Sequence, residues 1–130
     1  MPKSIDELLE EARARLDRVT PEQAQRELER GALLVDHRTL EQRREHGDVP
    51  GARVIGRTVL EWRLDPQSPH REPEVVDHDV RIILLCQEGY SSSLAAATLR
   101  ELGLERATDV IGGFEAWREA GLPIRPCRDS

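Results

Sequence analysis

Apolar and polar positions change period along this chain, and the changes mark its elements. Ile82-Ile83-Leu84-Leu85 is a short continuous apolar run, the pattern of a strand buried on both faces. From Ser92 the spacing becomes helical, with Leu94, Ala95, Ala97, Thr98, Leu99 and Leu102 recurring on one side and Arg100 and Glu101 on the other. Gly103 caps that helix. A second apolar run, Ala32-Leu33-Leu34-Val35, ends at Asp36 and predicts another strand, with His37 and Arg38 at its carboxyl end. Arg53 to Ile55 and Ala107 to Ile111 predict two more strands.

Helices fill the intervals. Ser4 predicts an N-cap with Glu7 completing a capping box, and Ile5, Leu8, Leu9, Ala12, Leu16 and Val19 then share one face. Thr20-Pro21-Glu22 reads as cap, proline at the first helical position, and a helix through about Glu29, ended by Gly31. Thr39 to His46 is a short, highly charged helix expected to be solvated on most of its surface. Gly47-Asp48-Val49-Pro50-Gly51-Ala52 is a turn. Val59 to Leu64 predicts a short helix stopped by Asp65-Pro66, and Gln67 to Asp79 a surface loop. Gly112-Gly113 is a tight turn before a helix from Phe114 to Ala120, ended by Gly121. Strands alternating with helices predict an α/β fold: a small parallel sheet flanked by helices on both faces.

At 130 residues the chain is expected to be a single domain. Residues 1–19 form an N-terminal helical extension, 20–124 the core and 125–130 a polar, mobile tail. The formal net charge is −6, with both signs mixed along the length, no basic stripe and 3% aromatic residues, so nucleic-acid binding has no support. The longest apolar runs are far short of a membrane span. Met1 to Ser4 lead into an acidic amphipathic segment without an apolar signal-peptide core, which predicts a cytoplasmic protein. In such a reducing compartment the two cysteines, Cys86 and Cys127, are not expected to form a structural disulfide. The four histidines, His37, His46, His70 and His78, show no close ligand pair, so no metal site is expected. His37 stands where it can line a site, but solvated or hydrogen-bonded loop histidines are the expectation.

The chemistry sits between the central strand and the helix after it. Cys86 closes the strand, and Gln87, Glu88, Gly89, Tyr90 and Ser91 lead into the helix at Ser92. The carboxyl end of a buried strand before a helix is where an α/β sheet places a ligand. Loop and first-turn N–H groups there lack intrahelical partners, and the helix dipole adds partial positive charge; both favour a thiolate over a thiol. The alternative is a buried structural cysteine that happens to end a strand.

Four segments together resemble a known family: Leu34-Val35-Asp36-His37-Arg38, Gly47-Asp48-Val49-Pro50-Gly51-Ala52, Ile83 to Ser92, and Val110 to Pro123. Each is weak alone; in this order and spacing they resemble a single-domain rhodanese-like sulfurtransferase over most of residues 20–124. The resemblance implies a sulfane sulfur held as a persulfide on Cys86. The donor is a small molecule or protein, the acceptor a thiol or similar nucleophile, and no cofactor is required. It places the N–H groups of Gln87, Glu88, Gly89, Tyr90 and Ser91 around that sulfur, in a substrate-binding loop that runs through Ser92. A terminal persulfide sulfur is negative and needs such preorganised donors. Asp36 and Arg38 are expected to brace the rim, or to be an ion pair holding the first strand-to-helix connection. Oligomeric state stays open.

The departures from the family bear on substrate. Many members carry Arg or Lys in the loop; here Glu88 adds a negative charge and nothing offsets it within the loop, which disfavours a dianion such as thiosulfate. Asp48 stands where the family's turn often has histidine, and Arg38, Arg57 or Arg63 are candidate compensating charges. Three other functions compete. A phosphatase of the same fold needs Cys-x5-Arg, and Ser92 occupies the arginine position. A catalytically idle interaction or regulatory module is compatible with the missing loop arginine. A two-cysteine redox protein would use Cys127 as resolving thiol, but Cys127 reads as an incidental exposed thiol in the tail.

Overall fold

A computed structural model describes residues 1–128; the last two residues of the expected 125–130 tail lie outside the described range. Four strands form one parallel sheet in the order β2-β1-β3-β4: β1 (Leu33–Asp36), β2 (Arg53–Val54), β3 (Ile82–Leu85) and β4 (Thr108–Asp109). The helices are α1 (Ile5–Ala14), α2 (Pro21–Glu29), α3 (Leu40–His46), α4 (Leu60–Leu64), α5 (Ser91–Glu101) and α6 (Gly113–Glu119), with a short 3-10 turn at Arg57–Val59.

The period of two along the strands divides the core. Val35, Ile82 and Leu84 face Leu60, Leu64, Ala95 and Leu99 of α4 and α5. Leu34, Ile83 and Leu85 face Ala24 of α2 and Phe114 and Trp117 of α6. Both faces of the sheet are therefore covered, which is why β3 carries no polar residue and is wholly buried. Among the described residues no helix is long and apolar enough to cross a membrane.

The capping residues act as their types require. Ser4, Thr20 and Thr39 each accept from the N3 backbone N–H and close a capping box, with Glu7, Gln23 and Gln42 respectively. The first helix is shorter than its apolar periodicity, ending at Ala14 rather than continuing to Val19. Beyond it the chain turns so that Val19 makes a parallel bridge to Val110 at the β4 edge, Val19 N–H donating to Asp109 O (3.1 Å) and Ile111 N–H to Val19 O (2.8 Å). Ile5 and Leu8 consequently stay exposed. A one-residue bridge has no periodicity, so helical spacing alone carries the reading too far.

The α3 helix is solvated over most of its surface, as expected, but its Arg43 is buried and pairs with buried Asp48 at 3.1 Å. One further expectation needs correction. The tail is held through residue 128. Arg125 forms an antiparallel bridge to Asp48, Arg128 N–H donates to the Asp48 carboxylate (3.0 Å), and Cys127 Sγ lies 3.6 Å from Arg43 Nη1. Cys127 is half-buried rather than an exposed thiol. Asp48 thus ties α3, the 47–52 turn and the tail together.

Gly113 seats α6 against the end of β3. Its φ is +59°, and a Cβ there would lie 2.5 Å from Cys86 O and 2.7 Å from Gly89 N. Only glycine lets the backbones approach so closely, leaving Phe114 N–H to donate to Cys86 O (2.8 Å) and Glu115 N–H to Gln87 O (3.0 Å). Gly113→Ala should lower the urea-measured stability by about 2 kcal/mol or more, from left-handed strain plus overlap. A loss below ~0.5 kcal/mol would show that α6 shifts without cost.

Candidate active site

The register of the central strands places the chemistry. Asp36 pairs with Leu85, and His37 N–H donates to Leu85 O (3.1 Å), so the residues just beyond β1 and β3 leave the sheet side by side. Cys86, His37 and Arg38 meet there at the floor and wall of a cavity of about 330 Å³, whose mouth carries Glu88, Tyr90 and Ser91. Thr39 and Gln42 of the α3 start complete the wall. A larger cleft of about 570 Å³ lies at the opposite, amino-terminal ends of the strands, lined by Arg26, Arg30, Arg81 and Arg106. It holds no thiol or hydroxyl side chain, whereas the smaller cavity holds the Cys86 thiol.

Cys86 is buried to 6% exposure. Gly89 N–H donates to its Sγ at 3.1 Å, and the thiol donates to Ser92 Oγ at 3.2 Å. Gly89 has φ +87°, and a Cβ would meet Gly112 N at 2.8 Å, so the loop curls back over the sulfur only because glycine stands there. The N–H groups of Gln87, Glu88, Tyr90 and Ser91 have no acceptor among the described residues. They belong to the loop that carries the thiol and leads into the first turn of α5, and they are donors without a protein acceptor.

Arginines hold the loop from both sides. Arg38 forks the Asp36 carboxylate (Nη2 to Oδ2 2.8 Å), donates to Gly47 O (2.8 Å) and reaches Gln87 Oε1 (3.1 Å), while its guanidinium lies 4.0 Å from the Phe114 ring centroid. The Asp36–Arg38 pair is nearly inaccessible to solvent, so removing either member would strand a buried charge. From the other side Arg13 (2.7 Å) and Arg18 (3.2 Å) both donate to Gly89 O. A trans peptide carries its N–H opposite its C=O, so this clamp turns the Tyr90 N–H away from the two arginines. Glu115 bonds the Gln87 amide, closing the ring.

A scan against family models matches residues 20–120 to the rhodanese-like domain. The thiosulfate sulfurtransferase GlpE of Haemophilus influenzae strain PittEE is 37% identical over 106 residues, covering 82% of this chain and 91% of GlpE. The chain belongs to the rhodanese-like sulfurtransferase family. Two solved structures bear on what a rhodanese-like chain of this size can do. One is a Rhodopseudomonas palustris protein of unknown function, described as a possible tyrosine phosphatase, with TM-score 0.85, 33% identity and 96% of each chain covered. The other is the homodimeric polysulfide-sulfur transferase of Wolinella succinogenes, with TM-score 0.72 and 26% identity over 90% of this chain and 83% of that one.

Within this rhodanese-like site, Cys86, Gln87, Glu88, Tyr90, Ser91 and Arg38 line the cavity, whereas Asp36 acts through Arg38, and Gly89 and Ser92 touch the Cys86 sulfur without lining the cavity. Arg57 and Arg63 do not line the cavity; they pair with Glu61 (2.8 Å) and with Glu72. His37 departs from the expectation of a solvated ring. It is buried beside Cys86, and its Nε2 has no partner. Ser93, Asp109, Arg13 and Arg18 escaped the sequence reading. Asp109 had a signal, as a polar residue at the carboxyl end of a strand; the arginines of the extension had none, since their contacts span more than 70 residues of sequence.

Burial, with the nearby Arg57 charge adding to it, holds the His37 ring below its ordinary 6.5. The unfolded chain therefore takes up a proton at His37 as pH falls through 6.5 while the folded chain does not, and stability falls with it. His37→Gln should lose less stability than the wild type on going from about pH 7.5 to about pH 5.5, read by urea unfolding. An equal or larger loss in the variant would show that the ring protonates without cost in the fold.

Proposed function

We propose that this chain transfers a sulfane sulfur from a donor to a thiophilic acceptor through a persulfide on Cys86. The observation that carries the reading is a single thiol at the base of an open cavity, with one backbone N–H already on its sulfur and further loop N–H groups that have no protein acceptor. In the first step the Cys86 thiolate attacks the outer sulfur of the donor. An S–S bond forms, and the donor's remaining group departs with the electron pair, as sulfite or as a thiolate. In the second, an acceptor nucleophile takes the terminal sulfur and Cys86 leaves as thiolate. The terminal sulfur carries the charge between steps, and the loop N–H groups are placed to receive it.

The donor follows from charge. Thiosulfate and polysulfide are named for the relatives. Here Glu88 stands exposed at the mouth, and the Arg38 guanidinium in the wall is committed to Asp36, Gly47 O and Gln87. A donor of lower charge than thiosulfate, such as a thiol persulfide, fits that mouth better. A reducing, cytoplasmic setting suits both this donor and a buried thiol that must stay unpaired.

Phosphoryl transfer, suggested by the description of the Rhodopseudomonas structure, meets an obstacle in this site. The position of the phosphate-clamping arginine holds Ser92, whose hydroxyl is directed to Asp109 at 2.7 Å. A buried carboxylate behind the loop opposes a phosphate dianion where a guanidinium would have stabilised it.

Cys86→Ser should abolish sulfur transfer to cyanide while leaving the urea midpoint within experimental error, and neither protein should hydrolyse an aryl phosphate. Retained turnover in the variant would remove Cys86 from the reaction, and Cys86-dependent phosphate hydrolysis would reverse the reading of Ser92.

Glu88→Arg changes the mouth by two charge units and adds a forked donor suited to an oxyanion. At ~6 Å and an effective dielectric of ~20–80, each unit interacts with a dianion by about 1–5 kcal/mol, and screening favours the low end. The variant should gain about tenfold in kcat/KM for thiosulfate and little for a thiol persulfide, with the gain shrinking in high salt. Equal responses for the two donors would assign the preference to pocket shape, with Tyr90 the first residue to examine.

A further inference from the structure

Behind the Cys86 loop a hydroxyl, a carboxylate and a guanidinium run in line from the thiol to the amino-terminal segment. Ser92 is wholly buried, its Oγ 3.2 Å from Cys86 Sγ and 2.7 Å from Asp109 Oδ2. A hydroxyl has one hydrogen to give, and an ionised carboxylate can only accept. The Ser92 hydrogen therefore goes to Asp109, and the thiol gives its own hydrogen to the Ser92 oxygen. Asp109 is wholly buried at the end of β4. It accepts a second hydroxyl from Ser93 (2.8 Å) and is forked by Arg18, Nε to Oδ1 at 2.9 Å and Nη2 to Oδ2 at 3.2 Å. So long as Cys86 is a thiol, this network holds the Ser92 hydrogen away from the sulfur. A thiolate needs the reverse, an O–H turned onto Sγ beside the Gly89 N–H.

We propose that Asp109, held by Arg18, is a positioning residue for Cys86, keeping the Ser92 hydroxyl turned from the thiol and releasing it when the sulfur becomes negative. On ionisation the thiol proton leaves to water through the cavity. The Ser92 hydroxyl rotates about its Cβ–Oγ bond to donate to Sγ, and Asp109 keeps Ser93 and both Arg18 bonds. When a donor's outer sulfur bonds to Sγ, the negative charge moves to that terminal sulfur and the hydroxyl turns back to Asp109. How firmly Asp109 holds Ser92 therefore sets how much of Cys86 stands ready as thiolate. An uncompensated Asp109 holds it harder; a neutral side chain in its place lets it go.

The other charged and titratable groups around Cys86 are Asp36, His37 and Arg38 beyond β1, Arg57 acting on His37, Glu88 at the mouth, Arg13 on Gly89 O and Glu115 on Gln87. They stay the same across the variants below; Arg18→Gln also removes the Arg18 bond to Gly89 O, which Arg13 still holds at 2.7 Å, and the Ser92→Ala background separates that effect from the Asp109–Arg18 pair.

The mechanism's use in turnover rests on the persulfide reading, but alkylation of Cys86 by iodoacetamide reads the thiolate with no sulfur donor present. A wild-type chain that alkylates yet never carries a persulfide contradicts the proposed function and leaves this test intact. At neutral pH Asp109→Asn should alkylate about tenfold faster and Arg18→Gln about tenfold slower, with the double variant near wild type. In a Ser92→Ala background the Asp109→Asn effect should fall below about threefold. A purely structural role, in which either substitution loosens the loop, moves both single variants in the same direction. That outcome overturns the proposal, as does an Asp109→Asn effect undiminished by Ser92→Ala. Arg18 keeps 15% of its side-chain surface exposed where Asp109 keeps none; with urea unfolding confirming that Arg18→Gln folds, its slowing stands as a test even if Asp109→Asn does not fold.

Discussion

The parallel pairing of β1 with β3 is the constraint from which the site follows. Four residue pairs, Leu33 with Ile82 through Asp36 with Leu85, bring two strands to a common end, and every group that shapes the cavity leaves from that end. A slip of one residue in either strand would turn its inward residues, Leu34 of β1 or Ile83 and Leu85 of β3, away from α2 and α6, and would carry Arg38 out of reach of Gln87. The buried apolar alternation that stabilises the sheet is thus also what sets Cys86 beside His37 and Arg38. Gly113 completes the arrangement by letting α6 lean on the Cys86 carbonyl, so that the loop is fixed from three elements at once.

Much of this was legible in the residues alone, because the strongest signals were local. The apolar runs at 33–35 and 82–85, the capping residues Ser4, Thr20 and Thr39, and the glycines after helices each act within a few positions, and the elements appear where those signals lie. The cavity residues were legible for a different reason: the carboxyl ends of parallel strands must converge, so a cysteine after one and Asp-His-Arg after its neighbour were bound to meet. What the residues did not disclose are contacts made across the fold. Arg13 and Arg18 look like ordinary solvated charges, yet they converge on one carbonyl of the Cys86 loop. Asp48 looks like a turn residue, yet its carboxylate and backbone hold Arg43 and the tail. His37 looks like a loop histidine, and becomes a buried ring because the pairing with Leu85 draws its backbone into the sheet. In each case a long-range pairing decides the side chain's surroundings, and no local period reports it.

The charge around the thiol has a direction. Three arginines, Arg13, Arg18 and Arg38, stand behind or beside the loop and are engaged by Gly89 O, Ser93, Asp109, Asp36, Gly47 O and Gln87. Their role is to hold backbone and carboxylates in place, and none offers a free fork to an incoming oxyanion. At the mouth, beside the neutral Tyr90 and Ser91, Glu88 brings a negative charge. Under the proposed reaction, a rhodanese-like site built in this way would stabilise charge on a sulfur already inside, through backbone N–H groups, more than it would attract charge from outside. That separation explains how the family's loop can be retained while the family's usual anion-binding side chain is missing from it.

The most direct test of the account is the covalent state of the protein itself. The fully reduced chain, incubated with a thiol persulfide and then freed of small molecules, would be weighed intact and mapped by peptide. The account predicts a gain of a single sulfur, located on Cys86 and removed by cyanide. An unchanged mass, or added sulfur found on Cys127 with Cys86 unmodified, would contradict it.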